Sequence, residues 1–89
     1  MQDEYSQIIY RRIRSLCEQR GITVYQLSQM SGVSSSTLAH ITSHRTSNPR
    51  LKTIHKLALA FSMTLPEFLD FEELNIYSFD DKNDESAKL

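Results

Sequence analysis

Apolar residues in this chain recur at three- and four-residue intervals in five successive blocks, and alternation with a period of two is nowhere sustained. That spacing gathers side chains on one face of a helix, so the chain is read as a bundle of short helices and not as a sheet. Tyr5, Ile9, Ile13, Leu16 and Cys17 share a face of a helix from about Glu4 to Arg20, with Gly21 as its stop. Thr23 offers an N-cap to a second helix carrying Leu27 and Met30, which Gly32 closes. Ser34 caps a third, whose Leu38 and Ile41 face inward. A polar stretch, His44 to Asn48, runs into Pro49 and a fourth helix with Leu51, Ile54, Leu57, Ala58 and Phe61. Thr64 caps a fifth, with Pro66 in its first turn, bearing Leu65, Phe68 and Leu69 and extending to Leu74. The expected architecture is a compact all-α five-helix domain over residues 1–77, followed by a short disordered acidic tail over residues 78–89.

Two Gly and two Pro in 89 residues exclude low-complexity and collagen-like chains. A single cysteine closes no intrachain disulfide and suits a reducing compartment. The longest apolar run, Leu57 to Phe61, is far too short for a bilayer span, and the polar opening Met1-Gln2-Asp3-Glu4 carries no secretory signal. The expected location is the cytoplasm. The net charge of −1 conceals a division, because residues 1–60 carry +5 and residues 61–89 carry −6. Between Glu18 and Glu67 lie 48 residues without one carboxylate, so a surface built from them offers cations and hydroxyls with nothing to repel a polyanion.

The informative segment is TVYQLSQMSGVSSSTLAHIT, residues 23–42. Leu27, Gly32, Val33, Leu38 and Ile41 have the spacing of two helices joined by a tight turn, with Gly32 supplying the left-handed backbone and Val33 plugging the turn. With Leu38 and Ile41 inward, the opposite face of the third helix carries Ser35, Ser36, Ala39, His40 and Ser43. Side chains that short let a helix come close to the floor of a DNA major groove. A plain helical hairpin satisfies the same spacing.

The stretches IRSLCEQRGITVYQLSQMSGVSSSTLAHI and NPRLKTIHKLALAFSMTLPEFL together resemble the lambda-repressor-like (Cro/repressor, Xre) helix-turn-helix family from Ile13 through Leu69, with no gap needed. The resemblance implies a five-helix DNA-binding fold, a recognition helix near Ser35–Ser43, and a two-fold dimer on a palindromic operator. It also implies departures. The family's arginine before the first glycine and its glutamate ending the recognition helix correspond here to Cys17 and Thr42, so both partners of that pair are missing together, which is nearly neutral where losing one is not. The glycine that usually follows that glutamate is replaced by Ser43-His44, and the one before the last helix by Ser62. The small alanine of the second helix is Ser28, and the glutamine that often opens that helix falls on Val24.

The candidate DNA contacts are therefore Thr23, Val24, Tyr25, Ser34, Ser35, Ser36, Ala39, His40, Ser43, Arg45, Arg50 and Lys52. The cations and helix N-termini would hold phosphates, and the third helix would read bases. Arg11, Arg12 and Arg14 are assigned to a solvated face of the first helix. Phe68, Phe71, Leu74, Ile76 and Tyr77 exceed what a closing helix needs and are the candidate dimer interface. His40 and His44 have metal-ligand spacing, but no nearby carboxylate completes a shell, so neither metal nor cofactor is expected. Cys17 is read as core, and the run of hydroxyls from Ser34 to Thr37 as a cap and helix start. No catalytic constellation is present, and the chain is read as a non-enzyme. Its expected partner is double-stranded DNA, bound by a homodimer with no membrane association. The function expected is a sequence-specific transcriptional regulator; the alternative is a protein-interaction or antitoxin-like module on the same fold.

Overall fold

The computed structural model describes residues 4–42 and 48–79. They form α1 (Glu4–Arg20), α2 (Val24–Ser31), α3 (Ser35–Thr42), α4 (Leu51–Ala60), α5 (Leu65–Leu69) and α6 (Glu72–Asn75). Among the described residues there are thus six helices where five were expected. The difference lies at Asp70 and Phe71, whose backbone turns out of the helical region (φ −89° and −144°), so α5 ends and Leu74 falls in a separate single turn. Among the described residues no helix is long and apolar enough to cross a membrane.

Each boundary has a local cause. Thr23 and Thr64 both form capping boxes: the threonine hydroxyl accepts the N–H of Gln26 or Glu67, whose side chain accepts the threonine N–H in return. Helices α1 and α4 end in matching Schellman turns. At α1, Ile22 N–H donates to Cys17 O and Gly21 N–H to Glu18 O; at α4, Met63 N–H donates to Ala58 O and Ser62 N–H to Leu59 O. The residue that must turn left-handed is Gly21 in the first (φ +68°) and Ser62 in the second (φ +60°). The sequence therefore places a side chain where the backbone favours glycine.

Ile9, Ile13, Leu16 and Cys17 of α1 pack with Leu27, Val33, Leu38, Ile41, Ile54, Leu57, Ala58, Phe61 and Phe68 in one core. Cys17 is buried there, and burial pushes its thiol above its ordinary pKa, with Arg14 pulling more weakly downward. Phe61 and Phe68 stack at 6.3 Å between ring centroids. Phe68 is completely enclosed, so it is removed from the expected dimer surface. Leu51 and Met30, apolar positions of their helices, point instead to solvent.

The C-terminal segment is fastened to α1 by Arg11 and Arg12, two of the three arginines expected on a solvated face; Arg14 stays exposed and pairs with Glu18 of its own helix. Arg12 donates to the carbonyls of Phe68 and Glu67, each at 2.9 Å, and its guanidinium lies 4.8 Å from the Phe71 ring centroid. Those carbonyls belong to the last turn of α5, where helix geometry leaves acceptors to be satisfied from outside; Glu67 O also accepts the Asp70 N–H at 3.3 Å. Burial lowers the Arg12 pKa, and Asp70 opposes that shift. Arg11 forms an ion pair with Glu73 at 2.7 Å. Beyond α6, Tyr77 and Phe79 pack edge-on at 4.8 Å, and both rings rest on Tyr5. The acidic stretch from Asp80 onward lies outside the described residues.

Candidate nucleic-acid interface

Helices α2 and α3 meet at Gly32, which takes φ +76° and donates its N–H to Ser28 O at 3.0 Å. Val33 then drops into the core, and its N–H donates to Ser31 Oγ at 3.1 Å, stitching the turn from inside. Leu38 and Ile41 pin α3 to the domain, leaving Ser35, Ser36, Ala39 and His40 exposed on its outer side. The turn is rigid because Gly32 and Val33 have separate jobs, one conformational and one in packing.

The hydroxyls that open α3 are not equivalent. Ser34 is the cap: its Oγ accepts Thr37 N–H at 3.1 Å and donates to Thr37 Oγ1 at 2.9 Å. Ser35 turns back across the helix junction and donates to Ser28 Oγ at 3.4 Å, while Ser28 donates to Tyr25 O at 2.6 Å. Ser28 is buried, so this relay ties the start of α3 to the body of α2. Among the described residues, Ser36 is the one member of the run whose hydroxyl has no partner.

On the α2 side, Thr23 is engaged in its capping box and Tyr25 is exposed, its hydroxyl accepting from Gln29 Nε2 at 3.0 Å. Val24 departs from its expected role: its half-buried side chain packs against the core. A β-branched side chain at the first position of a helix this close to Leu27 is better buried than presented to water.

Arg50 caps α4 with its carbonyl, which accepts the Ile54 N–H at 3.0 Å, while its side chain makes no cap bond and shares one open cleft with Thr37, His40 and Thr53. Arg50 and Lys52 are exposed and enter no ion pair among the described residues. The contrast with α1 is direct, since Arg11 is matched by Glu73 and Arg14 by Glu18. The unpaired guanidinium of Arg50 thus sits beside α3. Ser43 and Arg45, expected contacts, lie outside the described residues, as does His44 of the histidine pair. Among the described residues no group of three or more His, Cys, Asp or Glu could hold a metal ion.

Two short helices joined by a left-handed glycine, the second braced by two inward aliphatics and flanked by the unpaired Arg50, define a helix-turn-helix protein. The family comparison makes this specific. Residues 12–73 match the model of the Cro/C1-type HTH DNA-binding domain, and the chain belongs to that family. No curated protein and no solved structure gives a significant match. The matched span begins at Arg12 and runs to Glu73, so it includes the Arg12 clamp on α5 as well as the motif itself.

Proposed function

We propose that this domain is a transcriptional regulator that occupies an operator by laying α3 in the major groove, as a dimer. The observation that carries the reading is the cleft that Arg50 shares with Thr37 and His40 of the short-side-chain helix α3, Arg50 being a cation that no carboxylate neutralises among the described residues. Phosphates would be held by those side chains and by backbone N–H groups at the starts of α2 and α4. Ser36, Ala39 and His40 would face base edges.

The dimer reading rests on apolar surface that the fold leaves uncovered. Ile76 is 71% exposed, Leu51 63% and Phe79 55%, and Leu51 and Leu74 line one apolar cleft together with Tyr5. Phe71 contributes less than expected, being half-buried beneath Arg12. Ile76→Ser combined with Leu51→Ser should shift sedimentation toward the monomer at micromolar concentration. A wild-type monomer unaffected by both changes sinks the dimer.

Duplex binding over a salt series tests the main reading. Affinity should fall steeply between low and moderate salt, with a slope near −0.9 per phosphate neutralised. No detectable binding at low salt favours the protein-interaction alternative, in which the same exposed apolar residues receive a different partner.

A further inference from the structure

We propose, resting on the reading of α3 as the groove-entering helix, that this domain recognises thymine by its 5-methyl group through Ala39, with Ser36 beside it as the hydroxyl available to a neighbouring base edge. The internal bonding of the helix leads there. Ser34 is held by its cap with Thr37, and Ser35 is drawn back onto Ser28. What the described part of the outer face presents is then a methyl at Ala39, a hydroxyl three residues earlier at Ser36, and the imidazole of His40. Residues three apart on a helix are neighbours, so the methyl and the hydroxyl address adjacent base pairs.

The chemistry of the groove narrows the ligand. A methyl group neither donates nor accepts, and the apolar feature displayed in the major groove is the thymine C5-methyl. Contact between two methyl groups requires carbon–carbon separations of about 3.5–4.0 Å. Long side chains on α3 would hold the helix away from the groove floor; alanine and serine do not. Ser28 contributes from behind, since its buried hydroxyl accepts from Ser35 and draws that hydroxyl toward α2.

The test needs no variant for its first arm. Sites are selected from random duplexes, and each thymine of the preferred site is then replaced singly by deoxyuridine, which removes the methyl and keeps the pairing. At constant salt, one thymine per half-site should lose about fourfold in affinity on demethylation, the worth of one buried methyl. Ala39→Gly should abolish that difference. Because glycine weakens the helix, Ala39→Ser is the parallel variant: it keeps the helix, presents a hydroxyl, and should also lose the methyl dependence. A fully uracil-substituted duplex bound as tightly as the thymine duplex, with salt dependence intact, overturns this proposal and leaves duplex binding standing. Failure of both duplexes to bind at low salt overturns both readings together.

Discussion

Ser62→Gly should stabilise this domain, and Gly32→Ala should destabilise it by a similar amount, because both positions hold a left-handed backbone and differ only in whether a side chain occupies it. Ser62 sits at φ +60° and Gly32 at φ +76°, and a Cβ built on Gly32 meets no atom within 4 Å. Steric clash with the surroundings is therefore absent at Gly32, and the cost of alanine there is the backbone cost alone. For an L-residue that cost is about 1–2 kcal/mol. Glycine in turn lets the unfolded chain wander more, which offsets about 0.4–1 kcal/mol of it. The net is about 0.5–1 kcal/mol in each direction, or roughly 3–6 °C in Tm for a domain of this size. Thermal and urea unfolding followed by circular dichroism measure it, with unchanged urea m-values confirming that the same surface is exposed on unfolding. A lower Tm for Ser62→Gly would refute the backbone account. The two sites also separate stability from function: Ser62 closes α4, so Ser62→Gly should leave duplex affinity per folded molecule unchanged, whereas Gly32 sets the angle of α3.

Arg50→Ala should weaken binding to all duplexes alike and reduce the salt slope by about one unit, as expected for a phosphate contact without base preference; a changed sequence preference would place Arg50 on a base instead. Arg12→Ala should cost about 1.5–3 kcal/mol, the range for charge-assisted hydrogen bonds, since it removes the donor to Phe68 O and leaves Glu67 O with the Asp70 N–H alone. Urea denaturation reads that loss, and a change under 0.5 kcal/mol would show that water replaces the guanidinium at about equal free energy. Cys17 should react with a thiol reagent at pH 8 only as fast as the domain opens, because burial both shields the thiol and keeps it protonated. With its folded pKa raised, the stability it contributes is complete below the ordinary value of 9.0 and declines as pH rises beyond it, where the unfolded chain ionises first. Immediate stoichiometric labelling of the native protein would contradict its place in the core.

What the sequence revealed and what it concealed divide along a physical line. Helix boundaries at Thr23, Gly32, Ser34 and Thr64 were legible because caps act within four residues of the group they satisfy, so their signal is local. Ser62 was legible for the same reason: a missing glycine after a helix marks a strained turn wherever the rest of the domain folds. The Arg12 clamp was not legible. Its partners are the carbonyls of Glu67 and Phe68, more than fifty residues away, and a backbone carbonyl leaves no trace in residue identity. The same holds for the fate of the serines, which look interchangeable in sequence until Ser28 comes within reach of Ser35 across the turn. Hydrogen-bond capacity is a property of residue type, but its availability to a ligand is a property of the fold. In a helix such as α3, without Arg, Asn or Gln among its described residues, that difference decides which polar atoms remain for a partner. Here the chain's own turn engages the hydroxyls of Ser34 and Ser35, and on the proposed reading base discrimination falls to Ser36 and to the next turn of α3.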